Sequence, residues 1–151
     1  MPFKLSSRSL KRLQGVNPLL VRCVHDAIGV HSSVDFGVTE GLRNLERQKQ
    51  LVAQKRSQTL KSKHIDGNAV DLVAYIDGEV VWSIGVYDDI ADAMKASAKA
   101  IGLSIKWGAA WHKNLTDHDG TCEDLMNEYI DLRRSQGRRP FIDGPHFEVA
   151  T

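Results

Sequence analysis

A carboxylate stands inside a stretch that would otherwise be an ordinary buried strand. In Ala69-Val70-Asp71-Leu72-Val73-Ala74, Asp71 interrupts a run of apolar side chains, and burying its charge bare would cost several kcal/mol. The strand is tenable only if a cation pairs with Asp71 or if that face opens on a solvated cleft. The run continues to Ile76 and meets Asp77-Gly78, a two-residue hairpin turn, before Glu79-Val80-Val81-Trp82. Two antiparallel strands are expected, one carrying a polar group whose partner must come from elsewhere in the chain.

The surrounding pattern mixes helices with such strands. Asn17 before Pro18 starts a helix in which Leu20, Cys23, Val24, Ala27 and Ile28 recur at helical spacing, with a short helix at residues 7–14 before it. Residues 34–39 read as a strand and residues 44–54 as a polar helix, which leaves Arg43 at a strand-to-helix junction. Asp88 or Asp89 is expected to cap a helix carrying Ile90, Ala91, Met94, Ala98 and Ile101 and ending at Gly102. A strand at 104–107, a helix at 123–135 stopped by Gly137 and a closing strand at 145–150 complete an α+β arrangement.

With 151 residues and 42% hydrophobic side chains, the chain fits one soluble domain over residues 1–151, large enough to be stable as a monomer without disulfides. Cys23 and Cys122 are expected as buried or free thiols. No segment approaches the roughly 20 apolar residues of a membrane span, and the first residues lack an apolar signal core, so synthesis in the cytoplasm is expected, without membrane insertion. Charge is divided unevenly: residues 1–63 hold 12 Lys/Arg against 4 Asp/Glu, the remainder 8 against 15. A basic face of this kind suits an anionic envelope polymer, or is simply solvated. Residues 47–63 contain no aromatic side chain on which bases could stack, and nucleic acid is not an expected partner.

Two imidazoles are placed to answer Asp71. His64, in Ser62-Lys63-His64-Ile65-Asp66-Gly67, precedes a glycine turn and can sit at the loop edge beside the strand. A metal ion, a hydrogen-bonded His/Asp pair and a solvated loop are all compatible with that pairing. In Asp143-Gly144-Pro145-His146-Phe147-Glu148-Val149, alternation turns His146 and Glu148 to one face while Phe147 and Val149 face the core. Two His and one Asp form a three-ligand set with an open position, the mark of a catalytic rather than a closed structural zinc. Such a site also needs a general base and a cation for the developing oxyanion, and Asp143 and Arg43 answer those needs.

These segments resemble a known pattern. Ser62-Lys63-His64-Ile65-Asp66-Gly67-Asn68-Ala69-Val70-Asp71 is similar to the S-x-H-x-x-G-x-A-x-D signature of VanY-like D-alanyl-D-alanine metallopeptidases, and Asp143-Gly144-Pro145-His146 to their (D/E)-x-x-H signature. The chain most resembles the L-alanyl-D-glutamate endopeptidase branch, which includes phage endolysins, through residues 61–82, Trp107-Gly108-Ala109-Ala110-Trp111 and the C-terminal strand. The resemblance implies zinc on His64, Asp71 and His146, Asp143 as catalytic base, and Arg43 steadying the substrate carbonyl. It also implies a small antiparallel sheet flanked by helices, as in the Hedgehog signalling domain, and bacterial peptidoglycan as the substrate.

Three departures stand out: Ala110 where relatives often carry Asp before the second Trp, a long segment at about 112–142, a lid or a peripheral stabilising helix, and Gly41-Leu42-Arg43-Asn44 where relatives more commonly read Gly-Tyr-Arg-Ser. In that segment His112 and His118, near Asp117 and Asp119, are candidates for a second metal or for substrate contact, against a solvated loop. His25, in the first amphipathic helix, and His31, in the loop after it, are expected in surface or packing roles. Trp82, Trp107 and Trp111 are expected in the core or along a cleft wall, with Trp111 a candidate substrate contact. The metal signature does not distinguish the scissile bond, so a D-alanyl-D-alanine carboxypeptidase and a noncatalytic zinc module remain alternatives to the endopeptidase.

Overall fold

The strand around Asp71 is the hub of the sheet. In the computed structural model, which describes residues 3–43, 45–54 and 63–150, strand β2 spans Ala69–Ile76 and pairs antiparallel on both sides. Asn44 and residues 55–62, which include Ser62 of the first signature and part of the basic stretch at 47–63, lie outside the described residues. On one side of β2 lies β1 (Asp35–Glu40); on the other, β3 (Glu79–Val81) covers its second half and β5 (His146–Val149) its first. Strand β4 (Ile105–Trp107) pairs with the outer side of β5.

Alternation along β2 separates core from site. Val70, Leu72 and Ala74 enter the core with Phe36, Val38 and Phe147, while Asp71 faces the other way, opposite His146 in the ladder. Two helices close the core side: α2 (Pro18–Asp26) presents Leu20, Cys23 and Val24, and α4 (Ile84–Ile101) presents Ile90, Ala91, Met94 and Ala98. Ser97 Oγ donates to the Cys23 carbonyl at 2.6 Å, tying the pair together. Helix α1 (Ser7–Arg12) lies against β1, α3 spans Leu45–Ala53, and α5 (Cys122–Ser135) packs on α4. Among the described residues the fold is thus five α-helices around a five-stranded antiparallel sheet, the α+β class expected. No helix of the described residues is long and apolar enough to cross a membrane.

Local chemistry explains most boundaries. Asn17 Oδ1 accepts from Leu19 N with Pro18 in the first turn, and α2 ends in a wide π-turn over Ala27–His31. Asp77 and Gly78 both adopt positive φ, 51° and 80°, as a tight hairpin requires. Gly102 ends α4 in the left-handed conformation at φ 74°. Both cysteines are buried and free.

One boundary is corrected. Helix α4 starts after Ser83, a full turn before the Asp88 or Asp89 cap expected. Asp88 is instead a buried interior residue whose carboxyl is pushed up to about 6 by burial and by the charges of Asp89, Glu123 and Asp92. The earlier start brings Tyr87 under the sheet, where the pairing of β2 passes from β3 to β5. Its hydroxyl accepts from Ala74 N at 3.2 Å and donates to the Val81 carbonyl at 2.7 Å, bridging β2 and β3 at the end of their pairing. Tyr87→Phe removes the bridge while keeping the ring, leaving both backbone groups without it. The expected loss is about 1–3 kcal/mol, read as a lower urea midpoint with unchanged slope; an unchanged midpoint contradicts the bridging role.

Candidate metal centre

Three segments converge on Asp71. The ladder sets His146 directly across from it, and the turn ending at Gly67 brings His64 to its edge. Asp71 Oδ1 lies 3.1 Å from His146 Nδ1 and 3.2 Å from His64 Nε2, and the two rings meet edge to face at 5.1 Å. Among the described residues these three form the group able to hold a metal ion, with one ligand atom from each within 4.8 Å of the others. Donors bound tetrahedrally at zinc-like distances lie about 3.3 Å apart, a spacing that the two distances from Asp71 Oδ1 match, while the two imidazole nitrogens lie within 4.8 Å of each other. Two imidazole nitrogens and one carboxylate oxygen also leave a fourth position for water or substrate.

The outer nitrogens of both rings are engaged. His64 Nδ1 donates to the Gly41 carbonyl at 2.8 Å, and His146 Nε2 donates to Glu148 Oε1 at 2.8 Å. Burial works against a charge on Asp71, but hydrogen bonds from His146 and His64 outweigh it and hold the carboxyl well below its usual range. Burial likewise opposes a charge on His146, yet Asp71 and Glu148 on its two sides raise the ring to about 10. Without a cation, His146 is therefore an imidazolium shared between two carboxylates.

Arg43 closes the other side of Asp71. An irregularity between Val38 and Glu40 shifts the register of β1 so that Glu40 stands opposite Asp71. Glu40 accepts two hydrogen bonds from Arg43, from Nε and Nη2, both at 2.7 Å. Arg43 Nη2 is also 3.5 Å from Asp71 Oδ2, and its side chain is almost wholly buried. The backbone fixes the same junction: Arg43 N donates to the His64 carbonyl at 2.8 Å.

Asp143 sits on a loop braced from the segment Trp107-Gly108-Ala109-Ala110-Trp111. Asp143 N donates to Gly108 O, Gly108 N to His146 O, Trp107 Nε1 to Gly144 O and Trp111 Nε1 to Phe141 O, all within 2.8–3.1 Å. A side chain at Gly108 would collide with the Asp143 carbonyl and with His146 Cβ. Burial first, then the negative charge of Asp71, pushes the Asp143 carboxyl up to about 6, against the pull of His146, His64 and Arg43. Ala110 is fully buried, and Trp111 lies half-buried with its ring 5.3 Å from that of His146.

Arg43, His64, Asp71, Trp111, Asp143 and His146 thus fall in one neighbourhood, where Glu40 holds Arg43 and Glu148 holds His146, two pairings outside the sequence expectations. The signal for Glu40 was its i,i+3 spacing from Arg43; for Glu148 it was the face shared with His146. His112 and His118 lie apart. His112 Nε2 donates to Glu128 Oε1 at 2.9 Å and its ring stacks on Tyr129, while His118 Nδ1 pairs with Lys113. His25 and His31 are at the surface.

Comparison with known proteins adds family and fold. The profile of the family described as phage L-alanyl-D-glutamate peptidase matches residues 1–150. The L-alanyl-D-glutamate peptidase of Escherichia phage T5 is 31% identical over 123 residues, 79% of this chain and 89% of that protein. The crystal structure of the Serratia marcescens L-Ala D-Glu endopeptidase ChiX superposes with a TM-score of 0.73 at 35% identity, covering 95% of this chain and 87% of that one.

The proton on His146 would make the uptake of a metal by these three residues dependent on pH in a defined direction. A metal needs the neutral ring, so below about pH 10 binding must displace that proton. Affinity for a divalent cation is expected to rise by about tenfold per pH unit from 6 to 8, with about one proton released at pH 7. Titration calorimetry in buffers of different ionisation enthalpy measures both; an affinity flat over that range contradicts the assignment.

Proposed function

The chain belongs to the phage L-alanyl-D-glutamate peptidase family, and from that premise we propose that it is a zinc-dependent endopeptidase hydrolysing the L-alanyl-D-glutamate amide of the peptidoglycan stem peptide. In this reading His64, Asp71 and His146 hold the metal, Asp143 is the catalytic base, Arg43 is the electrophilic partner of the substrate carbonyl, and Trp111 walls the substrate cleft. The observation that carries it is the convergence of the three ligand atoms, within 4.8 Å of one another, in a chain of this family. Zinc is the metal best suited to a four-coordinate N/O site with an open position. Bound there, it would supply a Lewis acid for the amide carbonyl and lower the pKa of a coordinated water toward about 7.

The remaining chemistry falls to side chains. Asp143, with its pKa near 6, is ionised at neutral pH yet basic enough to take the proton of the attacking water. It then returns that proton to the nitrogen of D-glutamate as the amide C–N bond breaks, so the base ends the cycle as it began. Arg43 is held by Glu40 with its guanidinium at the edge of Asp71, a fixed positive charge for the oxygen on which negative charge develops. Trp111 packs against His146, and its Nε1 is engaged by Phe141, which leaves it a rigid apolar surface for the substrate. The place of action is then the bacterial cell wall.

Mass spectrometry of digested muropeptides tests the bond. Stem peptides released intact from L-alanine are expected, with release abolished by chelation and restored by zinc; loss of terminal D-alanine alone, or release indifferent to chelators, refutes the reading. Asp143→Asn removes the base while leaving all three ligands. It is expected to lower kcat by about 10²–10⁴-fold with zinc content unchanged, and a variant of near-normal kcat would exclude Asp143 from proton transfer.

A further inference from the structure

The metal ligands proposed above leave one charged contact unused: Glu148, two residues beyond His146 on β5. Both side chains lie on the site face of the strand, and Glu148 stands opposite Ala69, whose small side chain leaves room for it. Its Oε1 accepts from His146 Nε2 at 2.8 Å, and its Oε2 lies 3.6 Å from Lys63 Nζ. Lys63 also donates to the Val149 carbonyl at 2.7 Å, so it holds the β5 end beside Glu148. Lys63 directly precedes His64. The pair Lys63–Glu148 therefore ties the segment carrying one imidazole to the strand carrying the other.

The two histidines are held differently. His64 leans on a neutral backbone carbonyl, that of Gly41, and presents Nε2 to Asp71; His146 leans on a carboxylate and presents Nδ1. A carboxylate oxygen can only accept, so Glu148 fixes the proton of a neutral His146 ring on Nε2 and leaves the Nδ1 lone pair bare. A negatively charged acceptor also makes the opposite nitrogen a stronger donor.

We propose that Glu148, anchored by Lys63, is a positioning residue for the metal centre: it selects the Nδ1-ligating tautomer of His146 and thereby sets much of the site's metal affinity. The inference rests on the ligand assignment of the proposed function and extends it to a residue that touches neither metal nor substrate.

Zinc affinity of the full chain, measured by competition with a chromophoric chelator, tests it without reference to turnover. Glu148→Ala is expected to weaken binding by about 10–100-fold, whereas Glu148→Gln, which keeps an oxygen acceptor of the same reach, should stay far closer to the unsubstituted chain. Lys63→Met should give a smaller loss than Glu148→Ala. Long-range proton–nitrogen NMR of the zinc-loaded chain reads the tautomer directly, with His146 expected to carry hydrogen on Nε2 and metal on Nδ1, and this readout needs no variant to fold. An unchanged affinity in Glu148→Ala, a loss in Glu148→Gln as large as in Glu148→Ala, or metal on Nε2 would each overturn the inference while leaving the peptidase reading intact. A chain that takes up no zinc at all would instead remove both.

Discussion

The architecture turns on the compensation of one charge. Asp71 lies in the middle of the strand that every other part of the sheet pairs with, directly or through β5, and its side chain is only 19% exposed. A carboxylate so placed would destabilise the strand by several kcal/mol if left alone. It is met by His146 from the neighbouring strand, His64 from the preceding loop and Arg43 from the junction after β1. Three separate stretches of chain are thereby committed to one point, and the group that would destabilise the sheet becomes the group that organises its polar face.

Strand parity keeps that point apart from the core. Because Val70 and Leu72 are buried on one face, Asp71 must lie on the other, and the antiparallel register delivers His146 and Glu148 to that same face. The register shift near Thr39 then adds Glu40, and through it Arg43. A slip of one residue in β5 would send both His146 and Glu148 into the core and bring Phe147 out, so the hydrophobic pattern that fixes the fold also fixes which side chains meet Asp71.

How much of this was legible in the chain follows from how local each cause is. Asp71 announced itself because a charge in an apolar strand needs a reason, and the Asp77-Gly78 turn and the Gly102 helix end are local chemistry that needs no tertiary context. His146 was readable because alternation alone assigns its face. The start of α4 was not, because capping preference favours Asp88 or Asp89 while the end of the β2–β3 pairing, visible only once strands are paired, draws Tyr87 into the helix. Glu40 depends on a register irregularity that alternation does not encode. Residues 112–142 offered no decision between lid and support; Leu115, Cys122, Leu125, Met126 and Tyr129 are buried in the core, which makes the stretch structural over at least those positions.

Rigidity at the site has a backbone origin. Each segment that converges on the site is held by main-chain hydrogen bonds independent of its side chain: His64 through Arg43 and Gly67, Asp71 through the ladder and the Leu72–Pro145 bond, His146 through Gly108. Asp143 hangs from the same Gly108, so the proposed base and one proposed ligand share a support that tolerates no side chain. The backbone that carries these side chains is therefore ordered as part of folding, and a metal bound as proposed would be spared the conformational entropy of ordering it later. It also means that damage at Gly108, a residue without functional groups, would reach Asp143 and His146 together, whereas damage at Arg43 would be felt at Asp71, at the His64 backbone and in the field at Asp143.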